Sequence, residues 1–359
     1  MPYKLAISSM SLGRCFAGHA LSHKLDMAQK YGYSGIELFH EDLLDLASRI
    51  ENPAAESSSA EPSEAAQLAA AHEIYRLCDA RGLQIICLQP FMNYDGLLDR
   101  AEHEKHMRKL ALWFDMTRAL HTDIIQIPSN FLPADQVSDD LDLIAADLRK
   151  VADLGLQQSP PVRFVYESLC WGTRVDTWET CWEVVQKVDR PNFGICLDTF
   201  NIAGRIYADP ASPTGCVPNA EEEVRRSIAR LVSRVDVAKV FYVQVVDAER
   251  LAAPLVQGHP FYHPLQPARM SWSRNCRLFY GETDRGAYLP VREIAAAIFH
   301  GLGYEGWVSL ELFNRRMSDP SPEVPEELAQ RGAESWKKLK TDLGLDTLSR
   351  SSQRVFASL

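Results

Sequence analysis

"RFVYESLCWG", residues 163–172, is an apolar run that stops on a carboxylate, Glu167, and turns into a Trp-Gly pair. The same kind of ending recurs in "GICLDTFN", "VFYVQVVDAE" and "WVSLELFN". Each run is nearly continuous in Val, Ile, Leu and Phe, as a parallel strand covered on both faces should be. Working outward, "YKLAISS", "SGIELFH", "LQIICLQP" and "DIIQIPS" read as four earlier strands. Amphipathic stretches at helical spacing follow every one of them. Eight strand–helix units predict an α/β fold, a single-domain (β/α)8 barrel, with a doubly wound sheet as the alternative.

The chain has 359 residues, 46% of them hydrophobic, which is enough for one large core. The barrel is expected over 1–341. The Ser/Glu/Ala-rich stretch "ENPAAESSSAEPSE" (51–64) reads as a surface insertion and 342–359 as a tail. Two segments rich in Pro, Gly and aromatics, 201–220 and 247–289, follow strand C-termini, where active-site loops belong.

A net charge of −10 speaks against a nucleic-acid partner. No apolar run approaches the roughly 20 residues of a membrane span. The start, "MPYKLAISSM", reads as a strand rather than a leader. Eight cysteines without a C-x-x-C pair suggest buried reduced thiols and a cytoplasmic protein. A small-molecule substrate is the expected partner, and a homo-oligomer is left open. "GLGYEG" (301–306) follows a helix and precedes a strand, the reverse of a dinucleotide site. His103 and His106 in "HEKH" read as solvated helix residues rather than ligands.

In a barrel all strand C-termini meet at one mouth. Glu167, Asp198, Gln244 and Glu311 would then close strands five to eight. Any one of them could simply cap a helix, as Asp198 before Thr199 could. Three carboxylates and one amide carbonyl facing each other at four successive strand ends, however, cannot stay uncompensated, because the carboxylates repel one another unless a cation balances them. Oxygen-only ligands suit Mg²⁺ or Mn²⁺. The segment 267–290 carries Arg269, Arg274, Arg277 and Arg285, forked donors suited to a substrate carboxylate. Arg269 and Arg274 are the stronger candidates there. "ELFHED" (37–42) offers Glu37 and His40, and His40 is either a base near neutral pH or a hydrogen-bonded loop histidine.

"VYESLCWGTRVDTW", "GICLDTFNIAGR", "IELFHEDL" and "RMSWSRNCRLFYGE" together resemble the 3-dehydroshikimate dehydratases of fungal quinate catabolism. These are TIM barrels of the xylose-isomerase-like superfamily. The resemblance spans nearly the whole chain apart from 51–64 and the tail. It implies that Glu167, Asp198, Gln244 and Glu311 hold a divalent cation. It further implies proton abstraction α to a ketone, loss of the β-hydroxyl and aromatisation to protocatechuate. A metal on the ketone and its neighbouring hydroxyl would stabilise the developing charge. An arginine among Arg269, Arg274 and Arg285 would hold the ring carboxylate, with Trp171, Asp247 and Asn201 lining or supporting the site. Bacterial members tend to carry a His three residues after the metal-binding Asp, where this chain has Asn201. The acid/base role of that His would then be lost, changed at Asn201, or taken by another group such as His40 or Glu37. A sugar or polyol isomerase on the same barrel, and a non-catalytic metabolite-binding regulator, are the rival readings.

Overall fold

The structure, a computed structural model, describes residues 2–52 and 61–345. Eight parallel strands form a closed barrel: β1 Tyr3–Ser8, β2 Gly35–Phe39, β3 Gln84–Gln89, β4 Ile124–Pro128, β5 Arg163–Glu167, β6 Phe193–Asp198, β7 Val240–Gln244 and β8 Gly306–Leu310. The ring runs β1-β8-β7-β6-β5-β4-β3-β2 and closes where Ala6 of β1 faces Ser309 of β8. The expected (β/α)8 architecture is therefore present, and the doubly wound alternative is excluded.

Side chains alternate along a strand, so residues two apart share a face. Ala6, Val165, Cys196 and Tyr242 belong to strands on different sides of the ring, yet they pack into one small apolar cluster with Ile86, Cys87 and Ile124. Only the barrel interior allows that. Two residues further towards the C-terminal mouth, the same inward face carries Glu167, Asp198, Gln244, Gln89 and Gln126. The site is thus the layer directly above the interior packing, while the larger apolar core lies between strands and helices.

The outer helices include α1 Leu21–Lys30, α2 His40–Glu51, α3 Glu64–Asp79, α4 Arg100–Ala119, α5 Leu141–Leu156 and α6 Trp178–Val188. Three helices were not expected from the sequence, the first being α2, which opens on His40 ahead of the expected helix α3. A short helix, α7 Thr199–Ile206, follows β6 at once, before α8 Ala220–Arg234. The segment read as a long loop contains α9 Ala268–Cys276, followed by Arg277–Leu278, which pairs antiparallel with Asp247–Ala248. The final pair is α10 Val291–Ala296 and α11 Val324–Leu343. α11 runs two residues past the expected tail boundary and ends on Gly344 at φ 65°, a left-handed C-cap that suits glycine. Most of the expected insertion and tail, residues 53–60 and 346–359, lies outside the described residues. Among the described residues all eight cysteines are unpaired and seven are buried. No helix among them is long and apolar enough to cross a membrane.

Candidate active site

Glu167 ends β5, Asp198 ends β6, and Glu311 sits one residue beyond β8. One oxygen from each lies within 4.8 Å of the others, and all three residues are buried. Burial, then Glu311 and Asp198, holds the Glu167 carboxyl well above the ordinary carboxylate range. Asp198 and Glu311 are also raised, first by burial, with Arg277 pulling the other way.

Arg277 is the counter-charge. Its Nη1 donates to Asp198 Oδ2 at 3.0 Å and to Glu311 Oε2 at 3.2 Å, and its Nε donates to Ser273 Oγ at 3.1 Å. The rings of Phe200 and Phe313 flank its guanidinium at 4.2 and 4.9 Å. One arginine cannot balance three carboxylates, so the cluster suits a cation. Amide donors complete the layer. Asn201 Nδ2 donates to Glu167 Oε1 at 2.8 Å and Asp198 Oδ2 at 2.7 Å. Gln126 Nε2 donates to Glu167 Oε2. Gln89 Nε2 bridges Glu311 Oε1 at 3.0 Å and Glu37 Oε2 at 3.1 Å.

Gln244 Nε2 donates to Glu37 Oε2 at 2.9 Å. Its Oε1 is buried with no hydrogen-bond partner among the described residues. A sealed carbonyl oxygen without a donor is costly, and cation coordination would satisfy it. The donor set of three carboxylates and one amide oxygen therefore fits a hard divalent ion.

Glu37 is fully buried, and its carboxyl is pushed up to about 8 by burial and then by Glu311. It supports Gln89 and Gln244 and is not among the residues that line the cavity. His40 opens α2 and packs against Trp113 with ring centroids 4.9 Å apart. Burial and then Lys109 lower its pKa to about 3, so the ring is neutral. It too is absent from the cavity wall. His103, read as solvated, is instead buried, 3.1 Å from Asp147, because α4 turns that face onto α5.

A cavity of about 440 Å³ opens over the cluster, lined by Glu167, Glu311, Gln89, Gln126, Arg277, Trp171, Arg274, Arg14 and Glu41, with Phe39, Phe131 and Phe313 as apolar wall. The Arg274 guanidinium makes no hydrogen bond or ion pair with the described residues, and packing and then Arg14 lower its pKa. Trp171 Nε1 is likewise without a partner. The other expected substrate-binding residues lie elsewhere. Arg269 spends its guanidinium on the carbonyls of Gly204 at 2.7 Å and Ala208 at 2.8 Å. Arg285 borders a separate surface cleft with Glu249, Arg315 and Arg331. Asp247 Oδ1 accepts from the backbone N–H groups of Ala248, Tyr288 and Leu289 at 2.7–3.1 Å.

The turn after Glu167 has its own logic. Cys170 N–H donates to Asn201 Oδ1 at 3.0 Å, which forces the Asn201 NH₂ towards the carboxylates. A Cβ on Gly172 would lie 2.3 Å from the Val175 carbonyl oxygen, so only glycine fits. Gln89, Gln126, Arg14 and Glu41 were missed by the sequence reading. Stepping two residues beyond the interior positions Cys87 and Ile124 would have found both glutamines.

A family of xylose isomerase-like TIM barrels matches residues 25–339. A "3-dehydroshikimate dehydratase" of Neurospora crassa is 72% identical over 96% of this chain and 95% of its own length. This chain belongs to the xylose isomerase-like TIM barrels, and within them to the 3-dehydroshikimate dehydratases. Solved structures carry the same barrel. A xylose isomerase-like TIM barrel/4-hydroxyphenylpyruvate dioxygenase fusion protein aligns with TM-score 0.69 at 24% identity, covering 97% of this chain and 44% of that one. The IOLI protein, described with a binding zinc atom, aligns with TM-score 0.64 at 15% identity over 94% and 97%. At those identities the two structures speak for the fold alone.

Proposed function

We propose that the chain converts 3-dehydroshikimate to protocatechuate and water, and that it does so with a divalent cation in quinate catabolism. The observation that carries this reading is one cavity lined both by two members of a three-carboxylate cluster and by an unpaired arginine. The substrate has a ketone and hydroxyls at one side and a carboxylate at the other, and the cavity supplies both kinds of partner. Membership among the 3-dehydroshikimate dehydratases supports it independently.

Glu167, Asp198, Gln244 and Glu311 would hold the cation, with Mg²⁺ or Mn²⁺ the best match for an all-oxygen set. When bound, such an ion supplies Lewis-acid stabilisation of negative charge on the substrate's ketone oxygen. The protein's own groups do the rest. Arg274 takes the ring carboxylate as a charge-assisted pair, beside the free Trp171 N–H. Arg277 offsets the cluster's repulsion and fixes Asp198 and Glu311. Asn201 and Gln126 fix Glu167, and Gln89 fixes Glu311. Phe39, Phe131 and Phe313 exclude water, which strengthens each polar contact in the cavity. The unpaired thiols and net charge of −10 fit a cytoplasmic enzyme without a nucleic-acid partner.

The test is direct. Protein stripped with EDTA should lose turnover of 3-dehydroshikimate, followed by protocatechuate absorbance, and Mg²⁺ or Mn²⁺ should restore it. Full activity in metal-free protein would defeat the metal reading. No protocatechuate from metal-loaded protein would defeat the substrate reading.

A further inference from the structure

We propose that Glu41 is the proton-transfer group of the reaction, taking the proton α to the ketone and handing it to the departing β-hydroxyl. The inference rests on the dehydratase reading above. Elimination of hydroxide from carbon needs a base for the C–H and an acid for the leaving oxygen. Among the described residues lining the cavity the acidic ones are Glu41, Glu167 and Glu311, and no His, Lys, Tyr or Cys is present there. Glu167 and Glu311 belong to the cation cluster. Glu41 alone is left with the chemistry to accept and return a proton.

The groups expected to do this are placed otherwise. Glu37 is sealed beneath Gln89 and Gln244. His40 is turned onto Trp113. Asn201 has no proton to exchange near neutral pH, and its amide is committed on both sides.

Glu41 is held for the task. It lies in the first turn of α2, directly after β2 delivers the chain to the barrel mouth. Arg14 grips it with two nitrogens, Nε donating to Oε1 at 3.1 Å and Nη2 to Oε2. Cys15 Sγ also donates to Oε1, at 3.2 Å. Those three contacts use three of the roughly four acceptor positions of a carboxylate, so one remains. The side chain is 29% exposed, in keeping with a group that faces the cavity rather than the core.

The electron count closes. Glu41 removes the α-proton and the C–H pair forms the enolate, with charge moving to the ketone oxygen. That pair returns to form the ring double bond and expels the β-hydroxyl. The leaving oxygen takes the proton back from Glu41 and departs as water, leaving Glu41 a carboxylate again. Transfer of a ring methylene proton to the ketone oxygen then completes the aromatic product.

The competing explanation is a rim ion pair with Arg14 that merely shapes the mouth. Full-length, Mn²⁺-loaded wild type, Glu41→Gln and Glu41→Ala separate the two. Protocatechuate formation gives kcat and KM, Mn²⁺ titration gives metal affinity, and deuterium wash-in from D₂O reports α-proton removal. The expected result is a fall in kcat of about 10²–10⁴-fold for Glu41→Gln. KM and Mn²⁺ affinity should stay within about threefold of wild type, wash-in should be lost, and formate should restore part of the Glu41→Ala rate. A Glu41→Gln kcat within about fivefold of wild type would overturn the proposal. So would a loss confined to KM or to Mn²⁺ affinity, or one with wash-in intact. If wild type itself forms no protocatechuate, the dehydratase reading fails and Glu41's role with it. If wild type turns over and Glu41→Gln matches it, only the assignment of Glu41 fails.

Discussion

At the residue scale the proposed site divides into groups that would touch the cation, groups that hold those groups, and groups left free for substrate. We place Gln244 in the first set because its Nε2 is committed to Glu37 while Oε1 has no donor among the described residues. Gln244→Ala should weaken Mn²⁺ binding by at least about tenfold, since even outer-sphere partners of a metal are worth 10–100-fold. Unchanged Mn²⁺ affinity would remove Gln244 from the ligand set. Arg274 is in the third set. Arg274→Ala removes a charge-assisted pair worth about 1.5–3 kcal/mol, so KM should rise on the order of ten- to a hundredfold. Its Mn²⁺ affinity should not move, and an unchanged KM would leave the carboxylate to another group. The buried triad of Glu167, Asp198 and Glu311, and Gln244 as the fourth proposed ligand, were legible in sequence as positions because each follows an inward strand face at a mouth the fold dictates. His40 and Glu41 were not separable that way. They are adjacent at a helix start, where successive side chains point about 100° apart, so one faces Trp113 and the other the cavity.

At the element scale the surprise is α9. A stretch read as a loop is a nine-residue helix with Trp272 buried and hydrogen-bonded to the Glu249 carbonyl at 2.9 Å. It delivers Ser273, Arg274 and Arg277 to the cavity and sends Arg269 away from it. The sequence shows four arginines in one segment, but which of them face inward depends on where this helix docks. Arg269 instead ties down the C-terminal end of α7 through two carbonyls. Arg269→Ala should cost about 2–4 kcal/mol of stability, read by denaturant unfolding, with KM near wild type. A raised KM without a stability loss would return Arg269 to the substrate. Asp247 pins the same region to residues 288–289, and burial raises its pKa to about 7. An unfolded Asp titrates near 3.9, so between pH 4 and 7 the folded state binds the extra proton. Stability tied to Asp247 is fully present below about pH 4 and declines as pH rises through about 7. Asp247→Asn cannot lose that proton. Its melting temperature should therefore gain on wild type from pH 5 to pH 8, and a difference that is flat with pH would contradict the shift.

At the scale of the whole barrel, the ring concentrates charge that the fold alone does not balance. Glu37, Glu167, Asp198 and Glu311 all sit in the mouth layer with raised pKa values, burial being the leading cause for each. In metal-free protein the folded state then holds protons that the unfolded chain has released. Its stability is greatest below the unfolded carboxylate range and declines as pH rises through the raised folded values. A divalent cation reverses the balance, because it binds the ionised cluster and competes with those protons. Metal-free protein should thus melt at a lower temperature at pH 8 than at pH 6. Added Mn²⁺ should raise the melting temperature most at pH 8 and least at pH 6, the stabilisation amounting to about 2.7 kcal/mol where free Mn²⁺ is a hundred times Kd. The two curves should converge on acidification as protons displace the ion. Calorimetry at both pH values, with and without Mn²⁺, checks this without reference to turnover. Melting that ignores Mn²⁺ at pH 8 would mean that Arg277 and the amide donors already balance the carboxylates, and that the barrel mouth holds no cation.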